Sequence, residues 1–350
     1  MSKYFKNLDE QIKEYFKILS PEIPEFLEEY IDTEPMQKQA GISVSCGTIY
    51  SKMFDELWYS SLDHSVAVAL IVWNFTKDKK QTLAGLFHDI ATPVFKHCID
   101  FMNGDYEKQE STEELTEKII RNSDSIMKLL NRDGIKVEEI SDYHIYPIAD
   151  NDTPQLSADR LEYTLSNGLG VRMKLWNLDE VREIYQNIEV QKNEDGIEEL
   201  GFKDKILAEK FVKNMSELSE SYISNNTKIT MQFLADIIKK MNQKGLINKE
   251  DLYKLSEKDV IKKIENCEYD NISKCFKIWK NTTQINESDI LVEDKYCVSI
   301  NAKRRYINPL VKKDNDNYVR INEISYMAKQ DIEKFLNFQT KKYAYFDFNF

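Results

Sequence analysis

One segment of the chain, residues 62–77, is almost wholly apolar and constrains the fold more than any other feature. It contains the longest unbroken apolar run of the sequence, residues 66–73. The segment is too long and too rich in Ala and Leu for a strand, so it predicts a helix that is buried on all sides. Residues 80–90 predict a second apolar helix. Because helical spacing of apolar side chains recurs along most of the chain, we expect a mainly all-α fold.

Composition and charge exclude several classes of protein. The longest apolar run is far shorter than the roughly 20 residues that span a bilayer, so no membrane segment is expected. The net charge of −12 argues against non-specific nucleic-acid binding, because that affinity comes from Lys and Arg neutralising phosphates. The five cysteines are scattered without a CxxC pair, and the N-terminus lacks the apolar core of a secretory signal. These features predict a reduced, cytoplasmic protein.

The pattern along the chain predicts a large helical part and a small C-terminal α+β appendage. Further helices are predicted over residues 4–18, 25–31, 111–131, 159–167, 203–223 and 228–243. The polar, acidic residues 191–201 predict a loop. Near the end, the sequence predicts short strands at 296–300 and 305–311, a helix at about 323–336 and an aromatic alternation over 343–350. We expect four regions: an N-terminal helical segment (1–60), a core (61–170), a helical extension (171–285) and an α+β region (286–350).

Three of the four histidines lie within residues 64–97, and two of them stand beside predicted apolar helices. His64 is near the start of the first apolar helix, and His88 and Asp89 are adjacent at the end of the second. Asp159 begins a later predicted helix. Imidazole and carboxylate groups from three helices can surround one divalent cation and leave positions for water. A metal would also neutralise a His-Asp pair on an apolar helix.

A purely structural interpretation of the same residues stands beside this one. A histidine on an apolar face is usually a hydrogen-bonded core residue, and an aspartate at the start of a helix, such as Asp159, is usually a cap. Spacing alone leaves both interpretations open.

Resemblance to a known family favours the metal site. The order His64, His88-Asp89, Asp159 resembles the H…HD…D signature of the HD-superfamily phosphohydrolases, and more narrowly their deoxynucleoside triphosphate triphosphohydrolases. The strings that carry the resemblance are LDHSVAVA (62–69), GLFHDIATPVFKH (85–97), QESTE (109–113), ADRLEYTLSN (158–167) and LINKEDLYKLSEKDVIKKI (246–264). The resemblance covers roughly residues 30–265. It implies an HD-domain helical core over 61–170, with His64, His88, Asp89 and Asp159 as the metal ligands.

The resemblance also implies residues that contact the substrate. Arg160 would bind a phosphate, for which a guanidinium is well suited, and Tyr163 would line the nucleotide site. His97 falls on the last histidine of the family's HDxGHxPFxH segment and would contact phosphate or water. For Tyr163 and His97, a place in the core and a place at a helix end are the structural alternatives.

The sequence departs from the family at positions that matter for catalysis. Thr92 and Gln109 stand where the family has histidines, and Asn167 stands where it has an aspartate that contacts the sugar. Thr92, Gln109 and Asn167 can bind substrate through hydrogen bonds, but none can shuttle a proton near neutral pH. Glu110 is the candidate replacement base.

Two functions are therefore expected, in order of preference. The first is a metal-dependent phosphohydrolase of a nucleotide, dNTP-like, or of a related phosphorylated small molecule. It would hold one divalent ion per chain, such as Mn, Fe, Ni, Zn or Mg. The alternative is a catalytically impaired HD-domain sensor that binds metal and nucleotide. The family resemblance also implies homo-oligomers.

Two remaining features have open interpretations. The basic run 303–305, Lys-Arg-Arg, stands out in an acidic chain and is either an anion-binding site or a solvated strand edge. His144 lies in a loop-like stretch and is expected at the surface or at a cap, outside the metal site.

Overall fold

The computed structural model describes residues 3–107, 115–314 and 317–350. Helices dominate this part of the chain, and the first four are short: α1 (Lys3–Asn7), α2 (Glu10–Leu19), α3 (Glu25–Ile31) and α4 (Glu34–Lys38). The predicted helix over 4–18 is divided in two because Asp9 caps α2 by accepting a hydrogen bond from the Gln11 amide.

The apolar segment forms helix α5 (Ser61–Thr76), and α6 (Lys79–Phe87) packs along it. All twelve residues from Ser61 to Val72 are buried, as the sequence predicts. Gly85 allows the two helices to approach closely, because a Cβ there would lie 3.3 Å from a methyl group of Val72. None of the helices in the described residues is long and apolar enough to cross a membrane.

Four helices follow: α7 (His97–Asn103), α8 (Thr116–Arg121), α9 (Asp124–Asp133) and α10 (Ala158–Gly168). The prediction of one helix from Ser111 to about residue 131 is wrong where the structure describes it. Ser123 interrupts it, because its hydroxyl accepts a hydrogen bond from the Ile126 amide and starts α9 anew. Ser111 itself lies outside the described residues.

The second half of the chain mixes helices with short strands. Its helices are α11 (Leu178–Gln186), α12 (Lys205–Tyr222), α13 (Asn225–Gln243), α14 (Asp251–Lys254), α15 (Glu257–Glu265), α16 (Asp270–Asn281), α17 (Ile321–Ile324) and α18 (Tyr326–Leu336). Its strands are β1 (Ile188–Lys192), β2 (Glu198–Phe202), β3 (Asn286–Ser288), β4 (Tyr296–Val298), β5 (Leu310–Asp314), β6 (Asn317–Arg320) and β7 (Tyr343–Phe346).

In the described part of the chain, the strands form two small sheets. The first has the order β1-β2-β5-β6, in which β2 and β5 are parallel and the other pairs antiparallel. The second is antiparallel, in the order β3-β7-β4. The fold is therefore mostly helical with a small share of sheet, and one sheet joins residues 188–202 to residues 310–320.

Two strand predictions need correction. Residues 191–201 are not a loop but most of the β1-β2 hairpin, which turns at Gly196 with a φ of +77°. The predicted strand at 305–311 begins only at Leu310, directly after Pro309, which has no N–H to give to a ladder.

Among the residues that the structure describes, apolar side chains form two buried clusters. We call the larger one the first core; it is built on α5 and includes side chains of α2, α6, α10, α11 and α12. The second core is built on α13 with side chains of α7, α15, α16, β4 and β7. The segment between α6 and α7 passes from one to the other, with Ile90 in the first core and Val94 and Phe95 in the second. The predicted metal ligands His88 and Asp89 begin this crossing segment.

Candidate metal centre

His64 lies one turn into α5, at a position that the start of the helix fixes. The Ser60 hydroxyl accepts a hydrogen bond from the Asp63 amide, and the Asp63 carboxylate accepts one from the Ser60 amide at 2.9 Å. The Tyr4 hydroxyl donates to the same carboxylate at 2.7 Å. This reciprocal capping sets the first turn of the helix, so the direction of the buried His64 side chain follows from it.

His88 and Asp89 directly follow α6. Nδ1 of His88 lies 2.7 Å from the Gly85 carbonyl oxygen. A carbonyl oxygen only accepts hydrogen bonds, so Nδ1 carries the proton and Nε2 presents a lone pair.

Helix α10 brings two carboxylates next to the ring of His64. Ser157 caps the helix by accepting a hydrogen bond from the Arg160 amide. Asp159 lies in the first turn, and Glu162, one turn further, is fully buried. Glu162 accepts a hydrogen bond from Nδ1 of His64 and another from the Tyr59 hydroxyl at 2.8 Å.

The four predicted ligands meet in one cluster. The Nε2 atoms of His64 and His88 are 3.1 Å apart. Oδ1 of Asp159 lies 3.1 Å from Nε2 of His64 and 3.8 Å from Nε2 of His88. Oδ2 of Asp89 lies 3.9 Å and 3.7 Å from the same two nitrogens. One ligand atom each from His64, His88 and Asp89 lies within 4.8 Å of the others, which is close enough to hold one metal ion.

The chemistry of these donors fits a divalent cation. Both imidazoles direct Nδ1 away from the centre, towards Gly85 and Glu162, so the two Nε2 atoms are directed at each other. Two lone pairs at 3.1 Å repel unless a proton or a cation lies between them. With the carboxylates of Asp89 and Asp159 beside them, the donor set is that of a borderline or hard divalent ion.

The charges of the cluster shift its pKa values strongly. Burial opposes protonation of His64, but the Glu162 and Asp159 carboxylates outweigh it and raise the pKa of His64 to about 10. Burial likewise opposes ionisation of Asp89 and Asp159. The neighbouring cations, chiefly Lys96 for Asp89 and His64 for Asp159, outweigh it and lower both pKa values. The two carboxylates therefore stay ionised and attract a cation.

The segment after Asp89 is held tightly, and it carries Thr92 and Lys96. Thr92 is buried, its amide donates to the Asp89 carbonyl at 3.0 Å, and its own carbonyl accepts from Lys38 at 2.8 Å. Phe95 and Lys96 have positive φ values of +62° and +44°, which costs about 1–3 kcal/mol per residue. The Lys96 ammonium lies 2.5 Å from Oδ2 of Asp89.

His97 begins α7, and its ring is paired with Asp100. Nδ1 of His97 lies 2.9 Å from Oδ2 of the fully buried Asp100. Burial lowers the pKa of His97, and although Asp100 acts against this, Arg305 and Lys96 add to it. A neutral imidazole with its Nδ1 proton directed at a carboxylate presents Nε2 as a proton acceptor. Gln109 and Glu110 lie outside the described residues.

Arg160 is held at the edge of the cluster by the loop before α10. Its Nη1 lies 2.5 Å from the Asn151 side-chain oxygen and 3.6 Å from Asp150. Burial, and after it the charge of Asp159, raises the pKa of Asp150. The guanidinium therefore stands beside a cluster that carries several carboxylates.

Tyr163 and Asn167 follow on the same helix. Tyr163 is half-buried, and burial raises the pKa of its hydroxyl to about 12. The Asn167 amide donates to the Tyr163 carbonyl at 2.7 Å, so its side chain is committed to the end of α10.

The basic run divides between two roles, and His144 is exposed. Arg304 donates to the carbonyls of Phe335 and Phe338, at the end of α18, at 3.0 and 2.7 Å. The charge of Arg305, in contrast, acts on His97 and Tyr163. The backbone amide and ring Nδ1 of His144 both lie 3.0 Å from Oδ1 of Asp142, and its Nε2 lies 3.5 Å from Oδ2 of Asp150, so it contacts two carboxylates that are not among the four ligands.

Two residues of this site are missed by reasoning from the sequence, Glu162 and Lys96. Glu162 is three residues after Asp159, so helical spacing places both on one face, and this was the available signal. Lys96 gives no such signal, because its position depends on a backbone conformation that neither Phe nor Lys favours.

Comparison with known proteins places the fold. No protein-family model matches the chain. The uncharacterised protein YdhJ of Bacillus subtilis is 23% identical over 303 residues, covering 85% of this chain and 87% of that protein.

Two solved structures share the architecture along nearly the whole chain. A hypothetical protein from Aquifex aeolicus superimposes with a TM-score of 0.64 at 16% identity, covering 93% of each chain. A phosphohydrolase from Bacteroides thetaiotaomicron superimposes with a TM-score of 0.62 at 14% identity, covering 93% of this chain and 96% of that one. The chain therefore has the fold of a protein that is named a phosphohydrolase.

Proposed function

We propose that the chain is an HD-type, metal-dependent phosphohydrolase that acts on a nucleotide, dNTP-like, or on a related phosphorylated small molecule. The observation that carries the proposal is the pair of Nε2 atoms of His64 and His88, 3.1 Å apart, with two ionised carboxylates beside them. The fold shared with a phosphohydrolase supports it.

In this proposal, His64, His88, Asp89 and Asp159 hold one divalent ion, with Mn, Fe, Ni, Zn and Mg as the candidates. When bound, the ion polarises a phosphoryl oxygen and lowers the pKa of a bound water. Glu162 fixes the ring of His64 through its Nδ1 proton, and contacts of this kind hold metal-binding imidazoles in place.

The other residues in this proposal orient the substrate and handle protons. His97, neutral and directed by Asp100, holds or accepts a proton at Nε2. Glu110 is the second candidate for this role. Arg160 binds a phosphate with the donors on the free edge of a guanidinium whose other edge is fixed by Asn151.

In the same proposal, Tyr163 lines the part of the site that binds the substrate. Thr92, Gln109 and Asn167 stay candidates for hydrogen bonds to substrate. The contacts described above commit the Asn167 amide to its own helix, which leaves its carbonyl oxygen for that role.

A nucleotide sensor without turnover is the second candidate. Two residues that differ from the family pattern favour it. Thr92 is buried in a turn, and the Asn167 amide is bonded to the Tyr163 carbonyl. Neither side chain can transfer a proton near neutral pH, so the site holds fewer acid–base groups than the family pattern implies.

Phosphate release from a panel of nucleotides and phosphomonoesters, with each of the five metals, tests the proposal. We expect the wild type to turn over at least one substrate. Asp89→Ala should abolish that activity, while His144→Ala, which changes an exposed histidine, should keep it. Equal activity of wild type and Asp89→Ala contradicts the proposal. Tight nucleotide binding without product, for every metal, favours the sensor.

A further inference from the structure

The backbone around Lys96 is forced into an unusual shape by contacts from the second core. Phe95 and Lys96 adopt consecutive positive φ values, and neither is a glycine. The Val94 amide donates to the Leu252 carbonyl at 2.9 Å, and the Phe95 amide donates to Oε1 of the buried Glu257 carboxyl group at 3.1 Å. The strained turn is therefore fixed from both sides, which is typical of a backbone with a function.

This turn directs the Lys96 side chain into the metal cluster. Its side chain is only 11% exposed, and its ammonium lies 2.5 Å from Oδ2 of Asp89. At this distance the ammonium and the Asp89 carboxylate form an ion pair with a charge-assisted hydrogen bond. A charged ammonium therefore stands beside a carboxylate whose same oxygen faces both imidazoles.

We propose that Lys96 is a phosphate-binding residue, whose ammonium contacts the substrate phosphate next to the metal ligand Asp89. This inference rests on the proposed function and adds a residue that the motif comparison does not single out. An ammonium has three N–H donors, and the contact with Asp89 uses one. The remaining donors can bind oxygens of a phosphate held at the same cluster, where they neutralise its charge.

The neighbouring charges agree with an anion on this side of the cluster. The positive charges of Lys96 and Arg305 both act to lower the pKa values of His97 and Cys46. The two cations therefore lie near the same side chains. The Arg305 backbone is fixed there, because its carbonyl accepts a hydrogen bond from the Ser219 hydroxyl at 2.6 Å. These two cations offset part of the negative charge that Asp89 and Asp100 bring to this side of the cluster.

The test compares phosphate binding by Lys96→Met and by wild type, both loaded with Ni²⁺ and freed of unbound metal. Titration calorimetry with inorganic phosphate should show at least tenfold weaker binding for Lys96→Met, with the same Ni²⁺ content per chain. Lys96→Arg, which keeps the charge, should stay within about threefold of the wild type. Lys77→Met is the matched control, since Lys77 also has a positive φ, of +51°, but lies at the exposed end of α5.

Three results would overturn the role of Lys96. The first is phosphate binding by Lys96→Met that equals that of the wild type, and the second is no phosphate binding by the wild type itself. The third is loss of Ni²⁺ from Lys96→Met, because the lysine would then position Asp89 rather than bind phosphate. If Lys96→Met does not fold, Lys96→Gln replaces it, since the amide keeps one donor for Asp89 without the charge.

Turnover separates this inference from the proposed function. On a substrate that the wild type hydrolyses, Lys96→Met should lower kcat by about 100-fold. Wild-type turnover that Lys96→Met retains in full overturns the inference alone. Phosphate binding that depends on Lys96, without turnover of any substrate, overturns the proposed function alone.

Discussion

The carboxylate of Glu162 accepts the Nδ1 proton of His64, and this contact decides which ring nitrogen of His64 faces His88. Glu162 is fully buried and is also bonded to the hydroxyls of Tyr59 and Tyr15. It is thus a fixed acceptor rather than a mobile surface group.

Replacing Glu162 with Gln should weaken metal binding by about 10- to 100-fold. The amide keeps the shape but lacks the charge that holds the Nδ1 proton. Competition with a chromophoric chelator measures the affinity. Tyr59→Phe is the control, because its hydroxyl bonds the other oxygen of Glu162, and it should have a much smaller effect. Equal affinities for Glu162→Gln and wild type would mean that Glu162 only fills the core.

Removing the metal should destabilise the protein. If one divalent ion binds the folded chain and not the unfolded one, a hundredfold excess over Kd adds about 2.7 kcal/mol to the free energy of unfolding. Chelation should therefore lower Tm by a few degrees, and Mn²⁺ or Ni²⁺ should restore it. Asp159→Ala should abolish most of this difference, and His144→Ala should keep it. The reverse pattern in these two variants would exclude the ligand set.

Local patterns predict α5 and α6, whereas the set of four ligands is predicted from the resemblance to a family and not from spacing alone. Apolar spacing predicts α5 and α6 without knowledge of what they pack against. The ligands lie near the ends of helices that capping residues fix: His64, His88, Asp89 and Asp159. Helical spacing from Asp159 places Glu162 on the ligand face of α10, but its role depends on a contact with His64 across 98 residues, which that spacing does not contain.

The β1-β2 hairpin was missed for a similar reason. Its residues look like a solvated acidic loop because Glu199 and its neighbours are polar. Glu199 is nevertheless fully buried, paired with Arg320 of β6, 121 residues later. A charged side chain buried by a distant partner cannot be told from an exposed one in the sequence.

The two neighbouring arginines, Arg304 and Arg305, should behave differently when changed to Ala. Removing the positive charge of Arg305 should raise the pKa of His97, since that charge disfavours the imidazolium. Arg304→Ala should lower Tm through the lost bonds to the end of α18 and leave the pKa of His97 unchanged. An NMR titration of the four histidines, with His97→Gln to assign the signal, measures both. A pKa of His97 that both variants leave unchanged would place Arg305 away from the site.

Glu257 should make stability depend on pH in an unusual direction. Burial raises the pKa of its carboxyl from 4.5 to about 8, against the hydrogen bonds that it accepts. Between these values the folded protein holds a proton that the unfolded chain has lost, so stability falls as pH rises. The free energy of unfolding of Glu257→Gln should therefore increase, relative to that of the wild type, by about 1.4 kcal/mol for each pH unit.

The interval from pH 5 to 7 is the one to measure by urea unfolding. Burial lowers the pKa of Lys38 to about 7. Lys38 therefore makes stability rise with pH, but only above that pH. Glu265→Gln, on the exposed end of the same helix, is the control and should show no such slope. A constant difference between Glu257→Gln and wild type across the interval would show that Glu257 is ionised throughout.

Breaking the buried ion pair of Arg320 and Glu199 should destabilise the folded protein. The guanidinium binds both carboxylate oxygens, at 2.7 and 2.9 Å, and Glu199 also accepts the Leu156 amide just before α10. Arg320→Met leaves a buried carboxylate without its counter-ion and should lower the free energy of unfolding by about 3–5 kcal/mol. Adding Glu199→Gln should recover part of this loss, because a neutral amide is cheaper to bury and can still accept from Leu156. Urea unfolding of the single and double variants decides the point: a double variant no more stable than Arg320→Met would mean that the arginine stabilises the sheet by packing alone.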